Sequence, residues 1–137
     1  MKILGIDFGT KRIGLAIAQE GLVTPLVVIT CGSRHSPIRL IRLISQIGQI
    51  CQEEGVEKIV VGVSEGRSAK EAKAFGQKLA KKGWPVEFAD ETLTTAAALV
   101  KMKTVGKKWK DKADAIAAAL ILENYLSTKS KIPNPKS

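Results

Sequence analysis

The feature that most constrains the fold is an uninterrupted apolar stretch, KIVVGVS, at residues 58–64. A strand that alternates apolar and polar residues has one face in water, whereas a continuous apolar strand is covered on both faces. Residues 3–8 are apolar on both faces as well, which predicts a central strand there. A 137-residue chain with such strands is long enough to form one domain with its own core.

The rest of the chain alternates between strand and helix patterns. Residues 11–19 and 22–30 are expected to follow the first strand as antiparallel partners, and Pro25 predicts an edge strand or a bulge. The spacing of Ser68 and Glu71 predicts a capping box at the start of a helix. Further helices are predicted at 37–54, 92–101 and 114–127, and a short strand at 85–89.

These elements predict an α/β fold with a mixed five-stranded sheet, its first three strands antiparallel, flanked by helices. We expect a single domain over residues 1–127 and a flexible basic tail over 128–137. In the first helix, apolar residues at helical spacing are expected to form one core-facing stripe. That stripe comprises Ile38, Ile41, Leu43, Ile44, Ile47, Ile50 and Cys51.

The composition narrows the class of partner. A net charge of +9 and a pI near 9.7 indicate a polyanionic partner, nucleic acid first and an anionic membrane surface second. No apolar run approaches the ~20 residues that cross a bilayer, and the first strand does not resemble a secretory signal. Cys31 and Cys51 have neither metal-site nor disulfide spacing. We therefore expect a cytoplasmic protein without a membrane partner.

Four carboxylates stand in apolar surroundings or at strand ends. Asp7 interrupts the first strand, Glu65 and Glu91 each follow a later strand, and Asp114 opens an apolar helix. If those strands run parallel, the acids converge at the carboxyl edge of the sheet. Clustered carboxylates without His or Cys ligands favour Mg²⁺ or Mn²⁺. Two such ions ~3.5–4 Å apart promote phosphodiester hydrolysis, so an acidic site on a basic protein indicates a nuclease.

Four segments together resemble the YqgF/RuvX family: GIDFGTKRIGLAIA, IVVGVSEG, ADETLTT and KADAIAAALILENYL. The resemblance covers nearly the whole chain. It implies a ribonuclease H-like fold and an acidic triad of Asp7, Glu91 and Asp114 holding Mg²⁺ or Mn²⁺. It also implies processing of the 5′ end of pre-16S rRNA in ribosome biogenesis, with Holliday junction cleavage as the alternative.

Two departures from the family pattern bear on the site. Thr92 stands where relatives commonly have Arg, so the expected phosphate contact is either missing or supplied from elsewhere. The fourth-strand motif reads Gly-Val-Ser-Glu-Gly instead of Gly-Leu-Pro, which makes Glu65 a candidate fourth acid.

Basic residues near these motifs are candidate nucleic-acid contacts. They lie in the first hairpin turn, around the start of the second helix, and in a lysine-rich connector before the last helix, where a tryptophan can stack on a base. The candidates are Lys11, Arg12, Arg67, Lys70, Lys107, Lys108, Trp109 and Lys112.

Three alternatives to an RNA-processing nuclease remain. A junction-cutting DNA endonuclease would act as a dimer, and no sequence feature indicates a dimer interface, which leaves a monomer or a weak homodimer. A nucleic-acid-binding module without catalysis would keep the acids as structural residues. Asp7-Phe8-Gly9-Thr10 also resembles the phosphate loop of actin-like kinases, but those proteins close two such domains around ATP and this chain has one.

Overall fold

The structure, a computed structural model, describes residues 1–8, 12–30, 37–63, 67–90 and 113–131. Within these ranges, strands and helices follow one another in an order that starts with three strands and then alternates. The elements are β1 (Lys2–Phe8), β2 (Arg12–Gln19), β3 (Leu22–Thr30), α1 (Pro37–Glu54), β4 (Lys58–Val63), α2 (Arg67–Lys81), β5 (Val86–Asp90) and α3 (Ala113–Lys131).

The five strands form one mixed sheet in the order β3-β2-β1-β4-β5. Strand β2 is antiparallel to both β1 and β3, whereas β1, β4 and β5 run parallel. The two continuous apolar runs are β1, the central strand, and its interior neighbour β4, as expected for strands covered on both faces. The predicted five-stranded mixed sheet is therefore confirmed.

Successive residues of β1 face opposite sides of the sheet. Leu4, Ile6 and Phe8 belong to the larger core, to which α1 contributes Ile47 and α2 contributes Phe75. On the other side, α3 packs through Ala118, Ile121 and Leu122 against Ile3, Ala16 and Val60. Helices on both sides explain why the central strands lack a polar face.

Strand β3 is an edge of the sheet, as the proline predicted. Leu15 of β2 pairs with Val27, but the next residue, Ala16, pairs with Pro25. Leu26 is thus an extra residue on β3, and the pairing shifts there. A bulge on an edge strand accommodates a proline, which has no amide hydrogen to donate.

The predicted stripe on α1 is correct for Leu43, Ile44 and Ile47, which are buried, but wrong for Ile41, whose side chain is 67% exposed. Ile41 lies on the side of α1 that borders a groove beside α2. No other described segment fills that groove. Helical spacing placed Ile41 on the core-facing stripe, but it could not show that a gap between the two helices leaves this residue exposed.

Two predicted helix ends also differ from the structure. Helix α2 begins at Arg67, so Ser68 lies in its first turn and not at its N-cap. Helix α3 continues to Lys131, past its predicted end at residue 127, and includes the first part of the predicted tail. The helix predicted at 92–101 and the remaining tail residues, 132–137, lie outside the described residues. No helix in the described ranges combines the length and apolarity needed to span a membrane.

Candidate active site

The carboxyl ends of the three parallel strands lie side by side. Asp7, near the end of β1, pairs with Gly62 of β4, and Val63 of β4 pairs with Asp90 at the end of β5. Ligands of open α/β sheets bind outside these strand ends. The predicted convergence of the β1, β4 and β5 ends is present in the described structure.

Asp7 occupies the central strand and is half-buried. It lies on the same side of β1 as Gly5, where a methyl group would lie 2.5 Å from the Leu122 side chain of α3. Its carboxylate therefore faces the layer formed by α3 and not the larger core. The hydrogen-bonded neighbours on both sides of β1 fix the backbone at this position.

Asp114 lies in the first turn of α3, where the helix dipole favours a negative charge. Its backbone rests directly on Gly14 of β2. A methyl group at Gly14 would lie only 1.8 Å from the Asp114 carbonyl oxygen and 2.6 Å from the Ala115 amide nitrogen. The start of α3 can occupy this position only because residue 14 has no side chain.

Gly14 also connects the two acids. It is the direct partner of Asp7 in the antiparallel pair of β1 and β2. Residues opposite one another in such a pair face the same side of the sheet. Asp7 and the Asp114 backbone therefore lie on neighbouring positions of one face of the sheet.

The side of β2 that faces α3 bears small residues. These are Gly14, Ala16 and Ala18. They alternate with the larger residues Ile13, Leu15 and Ile17, which face the opposite side, and all six are buried. Small residues let an alanine-rich helix approach the sheet closely. The segment RIGLAIA thus builds the large core with one face and positions Asp114 with the other.

Arg12 forms an ion pair with Asp114, with 3.4 Å between its Nε and the Asp114 Oδ2. The Arg12 side chain is 61% exposed and that of Asp114 is 29% exposed. An exposed pair of this kind contributes about 0–1 kcal/mol to stability. Arg12 was predicted as a phosphate contact, and in the described structure it neutralises a candidate metal ligand.

The other predicted site residues divide into two groups. Arg67 is the first residue of α2, and Lys70 is exposed in the following turn. In the described part of the chain, no three His, Cys, Asp or Glu residues form a metal-binding group. The remaining candidates lie outside the described residues: Lys11, Glu65, Glu91, Lys107, Lys108, Trp109 and Lys112.

A polar cluster that the sequence did not indicate holds the far half of α3 against the sheet. The Tyr125 hydroxyl donates a hydrogen bond to Glu87 of β5 and accepts one from Lys58 of β4 at 3.0 Å. The Lys58 Nζ also lies 3.2 Å from the Glu87 Oε2. The hydrogen bond to Tyr125 and the nearby carboxylate raise the pKa of Lys58 above its ordinary 10.5. Gly14 and this cluster together determine the position of α3 along the sheet.

Known proteins resemble this chain over most of its length. A family model described as "RuvX: Holliday junction resolvase" matches residues 1–128. A protein of Agathobacter rectalis named "Putative pre-16S rRNA nuclease" is 38% identical over 136 residues, which are 92% of this chain and 94% of the relative.

Solved structures show the same fold. RuvC of Thermus thermophilus in complex with a Holliday junction substrate matches with a TM-score of 0.64 and 23% identity, over 95% of this chain and 97% of RuvC. The predicted ribonuclease H-like fold is thereby confirmed. A ROK hexokinase from Thermus thermophilus shares the core with a TM-score of 0.51 and 18% identity, but the match covers only 38% of the hexokinase.

The motifs that suggested the relationship run from β1 to α3, and the family model covers the same span. The chain belongs to the RuvX family.

Proposed function

We propose that the protein is a metal-dependent nuclease that hydrolyses phosphodiester bonds at the 5′ end of pre-16S rRNA during ribosome biogenesis in the cytoplasm. The observation that carries the proposal is the position of Asp114 on Gly14, directly beside Asp7. The names of the relatives support pre-16S rRNA as the substrate. The net charge of +9 supports a nucleic-acid partner.

The donor atoms of the proposed site fit a hard divalent cation. Asp7 and Asp114 offer carboxylate oxygens on one face, and such oxygen donors favour Mg²⁺ or Mn²⁺. In sequence, Glu91 immediately follows Asp90, the last residue of β5. We assign Asp7, Glu91 and Asp114 as the ligands and Glu65 as a candidate fourth. Divalent ions held by these residues would supply activation of the attacking water and stabilisation of the leaving oxygen.

The chain's own side chains would bind and orient the substrate. Arg12 balances the charge of Asp114 and is exposed enough to turn towards a phosphate. Lys70 adds positive charge near the start of α2, where free backbone amides also favour anions. Beyond the described residues, Lys11, Lys107, Lys108 and Lys112 are proposed backbone contacts, with Trp109 stacking on a base.

The test is a paired cleavage assay on pre-16S rRNA and a synthetic four-way DNA junction, each with Mg²⁺ and with Mn²⁺. Wild type is expected to cut the RNA, whereas Asp7→Asn and Asp114→Asn are expected to lose cleavage and keep RNA binding. Glu123→Gln is the matched control, because Glu123 is an exposed acid on the same helix as Asp114. Cleavage that survives Asp7→Asn would refute the assignment of the site.

Binding of the cation can be measured without cleavage. A ligand that binds only the native state raises stability. Mn²⁺ is therefore expected to raise the Tm of wild type and of Glu123→Gln, but not that of Asp7→Asn. An equal rise in all three would place the ion elsewhere.

Junction cleavage is the second candidate, favoured by the description of the matching family model. Symmetrical cutting of a junction would require a dimer. Cleavage of the junction but not of the RNA would replace the first proposal with this one. An inactive wild type that binds RNA tightly would instead support a binding module.

A further inference from the structure

A groove of about 830 Å³ lies between α1 and the C-terminal half of α2, away from the proposed active site. We call it the α1/α2 groove. Ile41, Ile44 and Gly48 line its α1 side, and Lys78, Lys81 and Trp84 line the other. Lys82, a serine and two glutamines complete the lining.

The α1/α2 groove lies on the α1 and α2 side of the sheet, whereas Asp7 and Asp114 lie on the α3 side, and its Trp84 end is near the amino end of β5. Trp84 lies two residues before β5 begins, and its backbone amide donates to Leu79 near the end of α2. Asp7 and Asp90 lie at the carboxyl ends of their strands. A ligand in the groove would therefore occupy a second site on the protein.

The chemistry of the lining favours a polyanion. Three lysine ammonium groups border the groove, and none of its lining residues is acidic. Trp84 is partly exposed, and the Gln52 amide and the serine hydroxyl can hydrogen-bond to bases, whereas the Gln49 amide donates to Glu53 at 3.1 Å. Single-stranded nucleic acid is held in this way, by cationic side chains on the phosphates and an aromatic surface for a base. An acidic amphipathic helix would need a longer apolar floor than Ile41, Ile44 and Trp84 provide.

We propose that the α1/α2 groove binds a single-stranded RNA segment, with a base against Trp84 and phosphates on Lys78, Lys81 and Lys82. The choice of RNA over DNA rests on the proposed function. The groove holds a part of the substrate remote from the bond that is cut. Such a second contact increases the effective concentration of the substrate at the active site.

The first test measures binding of fluorescent decauridine by anisotropy, with every variant made in the Asp7→Asn protein. Lys78→Ala/Lys81→Ala is expected to weaken binding at least tenfold. Arg42→Ala/Lys73→Ala is the matched control, because it also removes two exposed cations from α1 and α2 but none from the groove. It is expected to change binding less than threefold. The slope of log K against log salt should fall by about 1.4 for the groove variant, since each single-strand phosphate contact contributes about 0.7.

The second test blocks the groove without changing its charge. A methyl group at Gly48 would meet only the Trp84 Nε1, at 3.7 Å, so this position has room for a larger side chain. Gly48→Leu is expected to fill the space and weaken decauridine binding, while its Tm stays at or above that of the parent because leucine favours helix. Decauridine bearing 5-iodouridine is expected to crosslink to Trp84, and Gly48→Leu should abolish that crosslink.

Equal binding by the groove variant and the control would overturn the proposal, as would crosslinks confined to other parts of the chain. If decaglutamate lost affinity to the same extent as decauridine, the lysines would attract any polyanion, and the assignment to RNA would be wrong. Tenfold tighter binding of decathymidine would replace RNA with DNA. Because no measurement here requires cleavage, loss of the proposed nuclease activity and loss of the groove site can be distinguished.

Discussion

Replacing Gly14 with alanine should disable the active site while leaving the protein folded. The added methyl would lie 1.8 Å from the Asp114 carbonyl oxygen, whereas real Cβ contacts almost never fall below 3.0 Å. Because the obstacle is backbone, the start of α3 has to move by about 1.2 Å, the difference between these two distances. Functional groups must be held within about 0.5 Å, and misplacement by about 1 Å can lower a rate about 100-fold.

The cost to stability should be moderate. Overpacking of this kind typically lowers the free energy of unfolding by about 1–3 kcal/mol. We therefore expect Gly14→Ala to unfold cooperatively at a reduced Tm, to cleave RNA about 100-fold more slowly than wild type, and to show no Tm increase with Mn²⁺. Circular dichroism, the cleavage assay and thermal melting with and without Mn²⁺ measure these three effects.

Gly5→Ala is the control for overpacking as such. Its methyl would face the same helix further along the chain, 2.5 Å from the Cγ of the buried Leu122 and 3.0 Å from the Ala118 carbonyl oxygen, and it would not meet the first turn that holds Asp114. It is expected to lower the Tm and keep both cleavage and the Mn²⁺ response. If Gly14→Ala cleaved RNA at the rate of wild type, or if both variants lost activity equally, the reasoning about Gly14 would be refuted.

Two further predictions concern the ion pair and the polar cluster. Arg12→Ala should tighten Mn²⁺ binding up to about fivefold in calorimetry, because an exposed pair worth about 0–1 kcal/mol no longer competes for Asp114; weaker Mn²⁺ binding would contradict this. Tyr125→Phe should lower the free energy of unfolding by about 1–2 kcal/mol in urea denaturation, since Lys58 and Glu87 each lose a hydrogen bond. Because the Tyr125 hydrogen bond raises the pKa of Lys58 above 10.5, its contribution is complete below that pH and is lost at higher pH. The difference between wild type and Tyr125→Phe should therefore narrow above pH 10.5, and a constant difference would show that the Lys58 charge is not involved.

The sheet, and the placement of two candidate acids on it, could be predicted because their signals are local. Continuous apolar runs identify β1 and β4 as strands covered on both faces. Because these two strands run parallel, their carboxyl ends meet at the same side of the sheet. Asp7 was recognisable as a polar residue in such a run. Asp114 was recognisable as an acid at the start of an apolar helix.

What could not be predicted depends on contacts between distant segments. Nothing next to Gly14 in sequence indicates that α3 rests on it, and nothing near Tyr125 indicates Lys58 and Glu87 as its partners. Ile41 continues the apolar spacing of α1 and is exposed because the neighbouring helix leaves a groove. The ion pair of Arg12 with Asp114 was not predictable either, because it depends on where α3 packs on the sheet.

The location of Asp7 and Asp114 near opposite ends of the chain has a consequence during synthesis. Strand β1 leaves the ribosome before α3 is made, so a chain interrupted between them has one acid without the other. Chains are made at about 5–20 residues per second, and domains fold as units once their sequence has emerged. If Asp7 and Asp114 are both metal ligands, as proposed, a nascent chain would be unable to cut nucleic acid, including the RNA of the ribosome that is making it, until α3 has emerged and packed against Gly14.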